Sequence, residues 1–292
     1  FVAALYAQLA DVVAWLVVVI LFDVALRHLG KALRDSSEFA RAIDTHTRGL
    51  ELATRLHDTT EMARAFNNLG TDFRRIGILD EATTFHYMAL TLCEKHLMFN
   101  PCREAMKNRV ISLNGIANIM LSLDAPELAD SVLRLALAGE KQLGSALGQA
   151  INLANLGSIK ETLGQTDSAW HYYRRSMELN READSRLGIA LCHIHFGELY
   201  EHDGDMTSAT EQYGEAYRLL TQSGDTWHRL EAVQALAHVA IATGRHADAR
   251  RYIALSDSAA TAIGSREHIA RTYELEYELA AQQADNRAAL RY

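Results

Sequence analysis

Apolar and polar residues alternate along this chain with the period of an α-helix. Between Gln149 and Asn180, apolar residues recur every three or four positions, stop at Gly164, and resume on one face afterwards; they include Ile151, Leu153, Leu156, Ile159, Ala169 and Tyr173. A periodic segment interrupted by glycine and then resumed indicates two amphipathic helices joined by a short turn. The pattern therefore predicts a helix pair in this stretch.

The same pattern recurs along the chain at a fixed interval. An alanine follows each turn signal at positions 42, 82, 129, 169, 209, 249 and 289, in steps of 40, 47, 40, 40, 40 and 40. A small residue stands twelve positions earlier in most units, at Gly30, Gly70, Gly157, Gly197 and Ala237. A second glycine marks the turn at Gly77, Gly164, Gly204 and Gly244. We expect the small residues to let the two helices of a pair approach closely, and a large residue such as Tyr173 or Tyr213 to fill the gap to the next pair.

The longer step coincides with extra residues in two places. They lie at Met98 to Arg103 and around Asp124 to Glu127, and they contain both prolines of the chain, Pro101 and Pro126. In the repeat that contains these extra residues, we assign Gly115 to the small-residue position of the first helix.

A unit of forty residues cannot bury its own apolar face, so consecutive units must stack. The sequence thus predicts an all-α fold, an alpha-alpha superhelix of antiparallel helix pairs forming one solenoid over residues 1–292. The predicted units are a partial repeat at 1–16, full repeats at 17–56, 57–100, 101–143, 144–183, 184–223 and 224–263, and a partial repeat at 264–292. We expect the array to be cut at both ends.

Composition supports this fold and excludes several classes. Two prolines in 292 residues suit long helices, and 23% charged residues with 49% hydrophobic ones exclude a disordered chain. Three cysteines exclude a disulfide scaffold, and a net charge of −8 argues against nucleic acid as a partner. The apolar run from Val12 to Phe22 is too short to span a membrane. It predicts a helix that is buried on most sides or that lacks a neighbour.

At these residues the chain resembles the tetratricopeptide repeat family. The resemblance is carried by Leu69-Gly70-Phe73 with Ala82, His86 and Ala89, and by Leu156-Gly157 with Ala169, Tyr173 and Ser176. It covers about residues 17 to 292, although the units are about six residues longer than the family's 34 and lack its proline. Such long repeats resemble those of bacterial regulators and of kinesin light chain-like cargo binders. More narrowly, Gly139 to Asn180 is similar to sensor-regulator proteins of Bacteroides-type bacteria.

Motifs for chemistry are scarce. The sequence contains no GxxxxGK[ST], HExxH or GxSxG motif, and no GxGxxG after a strand. The best metal candidate is Cys93, His96 and Cys102, against the alternative of a buried thiol and a surface histidine. A Cys93–Cys102 disulfide would require an oxidising compartment. We therefore expect no enzyme activity, no cofactor and no bound metal; a phosphatase-like action on a response regulator has no residue to carry it.

The resemblance implies a binding surface on the concave side, formed by the first helix of each pair. Carried over by position, the candidates for contact with a peptide or protein are Arg64, Asn67, Asn68, Thr71 and Arg74, then Ser112, then Asn155, Ser158 and Glu161, then His195, Glu198 and His202, and lastly Gln234 and His238. Asn68 and Asn155 occupy the same repeat position, and in the family asparagines at this place hold a target backbone.

The candidate surface has an uneven charge, which leaves several functions open. Arginines at 64, 74 and 75 precede glutamates at 161, 198 and 201, a gradient that suits a ligand with an acidic end and a basic or polar remainder. The first hypothesis is the sensory or regulatory part of a bacterial signalling or transcription-regulatory protein, in the cytoplasm or the periplasm. The alternatives are an intracellular peptide-pheromone receptor of transcription-factor type and a structural adaptor. The apolar run also predicts self-association through an end of the array.

Overall fold

Helices account for all the regular structure that the described part of the chain contains. A computed structural model describes residues 2–36 and 38–283, and for residues 2–16, 19 and 20 it describes the backbone alone. Thirteen α-helices fill these ranges: α1 (Val2–Asp35), α2 (Phe39–Arg55), α3 (Thr59–Arg75), α4 (Leu79–Phe99), α5 (Arg103–Ser122), α6 (Pro126–Leu143), α7 (Ala146–Thr162), α8 (Thr166–Glu182), α9 (Arg186–His202), α10 (Met206–Ser223), α11 (Thr226–Ala242), α12 (His246–Ile263) and α13 (Arg266–Gln282). The predicted all-α fold of paired helices is confirmed.

The chain divides into two compact units. The first, Phe1–Ile119, holds α1 to α4 and most of α5, and the second, Met120–Tyr292, holds the rest of α5 and α6 to α13. Within the second unit each helix packs on the next from α6 to α13, and the first helices of successive pairs, α7, α9, α11 and α13, also contact one another. This arrangement places the polar residues of the first helices on neighbouring elements.

The turns repeat because one residue in each must adopt a left-handed backbone conformation. Gly77, Gly164, Gly204 and Gly244 end the first helices with φ between +68° and +81°. Asp124 occupies the corresponding turn after α5 at φ +56°, and Asp is one of the few residues besides glycine that visit this region. The predicted turn glycines therefore have the conformation that the pattern requires.

Close helix contact within a pair depends on a glycine and a large residue sixteen positions later. A Cβ at Gly157 or Gly197 would overlap the ring of Tyr173 or Tyr213, and both tyrosines are fully buried. Gly70 bears the same relation to His86. The expectation that small residues allow the close approach is correct.

Two assignments made from the sequence differ from the structure, and the sequence did not show whether the extra residues of the 47-residue step lie in helices or in loops. The extra residues of the 47-residue step lengthen helices: α4 has 21 residues and α5 has 20, whereas α7 and α9 have 17. Gly115 faces the ring of His86, and the position forty residues before Gly157 is the fully buried Ala117, so the assignment of Gly115 was wrong. Helix α1 runs without a break through the boundary predicted between residues 16 and 17.

The apolar run in α1 is exposed where its side chains are described. Val18 and Leu21 are 63% and 62% exposed, and Val17 and Phe22 are both 49% exposed. Of the two alternatives predicted for this run, burial on most sides is wrong for these residues, whereas a helix face that lacks a neighbour fits their exposure. No helix in the described residues is both long enough and apolar enough to cross a membrane. The second helix predicted near Ala289 lies outside the described residues.

Candidate ligand-binding surface

The first helices of the second unit carry a row of polar side chains, which we call the His–Glu surface. It consists of Glu161 on α7, His195, Glu198 and Glu201 on α9, His238 on α11 and Glu278 on α13. All six are half-buried, so each combines a fixed environment with access to solvent. The spacing of forty residues places Glu198, His238 and Glu278 at one repeat position, and Ser158 of α7 occupies that position as well.

Two buried tyrosines hold two of the carboxylates of this surface in place. The Tyr173 hydroxyl donates to Glu161 Oε2 at 2.8 Å, and the Tyr213 hydroxyl donates to Glu201 Oε2 at 2.9 Å. Burial raises the pKa of both tyrosines, and the nearby carboxylates raise it further. The hydroxyls therefore stay protonated and act as donors that hold each carboxylate in place.

His195 interacts with two of the glutamates, Glu198 and Glu161. Its ring stacks on Tyr173, with centroids 4.5 Å apart, and its Nδ1 lies 2.9 Å from Glu198 Oε2. Burial alone would lower the pKa of His195, but the hydrogen bond and charge of Glu198, together with Glu161, raise it. The pKa of Glu161 is raised by burial and by the charge of Glu198.

His238 connects three first helices. Its Nε2 lies 3.0 Å from Glu201 Oε1 on α9, and its Nδ1 lies 3.0 Å from Glu278 Oε2 on α13. The hydrogen bond to Glu201 is the main reason that the pKa of His238 is raised, and Glu278 adds to it. Burial would raise the pKa of Glu201, but the bonds from His238 and Tyr213 lower it. Arg271 of α13 also contacts Glu278, at 3.3 Å.

The remaining residues predicted in this unit differ in exposure. Asn155 and Ser158 are half-buried on α7, and His202 is exposed at the end of α9, 3.9 Å from Asp203. Gln234 is buried, and its amide donates to the carbonyl of His268 and the hydroxyl of Ser256. Gln234 therefore joins neighbouring helices and is inaccessible to a ligand.

In the first unit the predicted residues make many contacts of their own. Asn67 is 2% exposed; its amide donates to the carbonyl of Asn108 and accepts from the Ser112 hydroxyl, so Asn67 and Ser112 hold α3 and α5 together. Arg64 forms ion pairs with Glu61 and Glu104.

The other three residues predicted in this unit also lie on α3. Asn68 is half-buried and lines a small cavity with His46 and Glu61. The Thr71 hydroxyl donates to the Asn67 carbonyl, and Arg74 is half-buried near the end of the helix.

One buried charged cluster was not predicted. Asp72 on α3 is fully buried and accepts from Arg34 of α1 at 3.2 Å, while its other oxygen bonds to His46 of α2. The cluster holds three helices of the first unit together. A signal for it in the sequence is the repeat position of His46, forty residues before His86.

The cysteines do not form a metal site. In the described residues no group of three His, Cys, Asp or Glu side chains is arranged to hold a metal ion. Cys93, Cys102 and Cys192 are all free thiols, so the Cys93–Cys102 bond considered from the sequence is not formed.

Comparison with known proteins identifies one repeat directly. The tetratricopeptide repeat model matches residues 151–182, which cover most of α7, the turn after it and all of α8. Comparison with curated protein sequences gives no match.

Solved structures of low sequence identity share the fold. A Rap protein in complex with competence and sporulation factor is 18% identical, with a TM-score of 0.72 over 92% of this chain and 72% of that one. The Rap conjugation gene regulator of plasmid pLS20, in complex with the Phr* peptide, is 16% identical, with a TM-score of 0.64 over 91% of this chain and 64% of that one. A signal-transduction ATPase with numerous domains from Pyrococcus horikoshii, which has a tetratricopeptide repeat sensor, is 13% identical, with a TM-score of 0.60 over 91% of this chain and 40% of that one.

These findings agree with the helix pairs, the turn glycines and the glycine–tyrosine contacts described above. Residues 151–182 are a tetratricopeptide repeat, and the chain has the fold of the tetratricopeptide-type helical-repeat proteins.

Proposed function

We propose that this chain is a non-enzymatic regulatory module that binds a peptide or protein segment on the His–Glu surface. The observation that carries the proposal is the row of half-buried Glu and His side chains across α7, α9, α11 and α13. Arrays of this fold typically act as binding scaffolds, and their recognition residues lie on repeated helix faces.

The charges of the surface indicate the chemistry of the ligand. Four glutamates at positions 161, 198, 201 and 278 lie among His195, His238 and Arg271, which carry at most three positive charges. A ligand with lysine or arginine side chains supplies the complementary charge, and bidentate bonds between guanidinium and carboxylate add specificity. The Tyr173 and Tyr213 hydroxyls already hold Glu161 and Glu201 in position, so ligand binding does not have to order them.

Several regulatory roles are consistent with such a surface. The first is the sensory or regulatory part of a bacterial signalling or transcription-regulatory protein. A peptide-pheromone receptor is supported by the likeness in fold to Rap proteins in complex with peptides. A structural adaptor would instead bind large folded partners.

Selection from a library of random heptapeptides tests the proposal. We expect the selected peptides to be rich in lysine and arginine, and to lose at least about tenfold in affinity for a Glu198→Lys variant. Glu178→Lys is the matched control, because Glu178 is an exposed glutamate of α8 outside the His–Glu surface. Equal losses in both variants, or a selection that yields no binding peptide, would contradict the proposal. A pull-down that returns only folded proteins would favour the adaptor.

A further inference from the structure

A thiol in the first unit lies beside a histidine and at the start of a long helix. Cys102 Sγ is 3.6 Å from His96 Nε2, and the other ring nitrogen, Nδ1, is 3.0 Å from the Thr59 hydroxyl. His96 lies on α4, Thr59 begins α3, and Cys102 directly precedes the 20-residue α5. When Nδ1 donates to Thr59, Nε2 is the acceptor that faces the thiol.

The start of α5 provides a second interaction with the same sulfur. The Ala105 backbone N–H donates to Cys102 Sγ at 3.4 Å, so the side chain caps the helix. Backbone N–H groups and the helix dipole at this end favour negative charge on the sulfur. Cys102 is also partly exposed, so a small reagent can reach it.

The other two thiols have the opposite environment. Cys93 and Cys192 are each 1% exposed. Burial raises the pKa of Cys93 to about 12, and burial also raises the pKa of Cys192. Both are therefore expected to be unreactive packing residues.

We propose that Cys102 is a modification site whose thiol reacts with peroxides, with His96 as its proton acceptor. The sulfur attacks one oxygen of hydrogen peroxide; the S–O bond forms as the O–O bond breaks. The thiol proton passes to His96 Nε2 and then to the departing hydroxide, which leaves as water. Sulfur loses two electrons to become a sulfenic acid, and the peroxide is reduced to water. Because Cys93 is buried and protonated, it is a poor partner for a disulfide, and the sulfenic acid persists.

This site is independent of the His–Glu surface, since Thr59, His96 and Cys102 all belong to the first unit. Oxidation of Cys102 would thus be a signal separate from ligand binding at the His–Glu surface.

Peroxide treatment of the full chain, with dimedone trapping and mass spectrometry of the three cysteine peptides, tests the proposal. We expect Cys102 to be labelled at least about tenfold faster than Cys93 and Cys192, and His96→Gln to slow its labelling about tenfold. His171→Gln is the matched control, because His171 is an exposed histidine on α8. The proposal is overturned if His96→Gln labels at the wild-type rate, or if a buried cysteine labels as fast as Cys102.

The pH profile of labelling distinguishes proton transfer from a packing role of His96. Three charged residues adjoin the site in sequence: Asp58 next to Thr59, Lys95 next to His96, and Arg103 next to Cys102. The wild type and His96→Gln both keep these charges, so a difference between their pH profiles reports on His96. We expect the wild-type rate to rise at lower pH than the rate of His96→Gln, with the same melting temperature for both proteins. Superimposable profiles would assign His96 a packing role only and would overturn its role as proton acceptor.

Discussion

Gly197 and Gly214 are both helical glycines in the second unit, yet their surroundings are opposite. A Cβ on Gly197 would overlap the ring of Tyr213, whereas a Cβ on Gly214 would meet no atom within 4 Å. The Tyr213 ring cannot move away easily, because it is 1% exposed and its hydroxyl is bonded to Glu201. Helix propensity alone would make both substitutions by alanine favourable.

We therefore predict opposite effects on the free energy of unfolding. Gly197→Ala should lower it by about 1–3 kcal/mol through overpacking. Gly214→Ala should raise it by about 0.5–1 kcal/mol, because alanine loses less backbone entropy than glycine in a helix. Urea denaturation of the two variants beside the wild type measures both. If Gly197→Ala is also stabilising, the glycine is not required for close helix contact.

At the residue scale, the sequence predicts correctly those features that depend only on neighbouring residues in the chain. The turn glycines have a left-handed conformation that the chain itself dictates. Asn67 was predicted on the binding surface from its place beside Leu69-Gly70, but its partner Asn108 lies 41 residues further along the chain. Exposure of a polar residue depends on what the next repeat places opposite it, and a single repeat does not contain that information.

At the scale of elements, the forty-residue interval predicted the order and pairing of the helices because each unit must repeat the same contacts to bury its apolar face. The interval could not show how the longer step is accommodated. Extra residues can extend a loop or a helix, and Met98 and Phe99 extend α4 by continuing its backbone hydrogen bonds. Glu278 was also missed in the candidate surface, although it stands forty residues after His238.

The stabilisation that His238 provides by joining α9, α11 and α13 should depend on pH. The bonds to Glu201 and Glu278 raise the folded pKa of His238 above its ordinary 6.5. A raised folded pKa means that the stabilisation is complete below about pH 6.5 and is lost as pH rises through the folded value. His238→Gln should thus lower the urea midpoint more at about pH 5.5 than at about pH 8.5. His171→Gln, on the exposed face of α8, should show no such difference. An equal loss at both pH values would exclude a charged His238.

At the scale of the whole molecule, the fold explains why one face of a helix can remain apolar and exposed. Each helix pair buries its apolar surface against its neighbours, so a helix without a neighbour on one side keeps an uncovered face. In the described part of α1 that face contains Val17, Val18, Leu21 and Phe22. Exposed apolar patches of this kind commonly mark association sites.

We accordingly predict that the chain self-associates through α1. Light scattering at high protein concentration should give a mass above that of a monomer, and Val18→Glu with Leu21→Glu should reduce it to the monomer mass, because two buried carboxylates would oppose association. Leu128→Glu with Leu135→Glu is the matched control: these leucines of α6 are 59% and 53% exposed, and their substitution should leave the mass unchanged. If the wild type is a monomer, or if the α1 variant keeps the larger mass, the apolar face of α1 does not drive association. A loss of mass in the α6 variant alone would instead place the interface in the second unit.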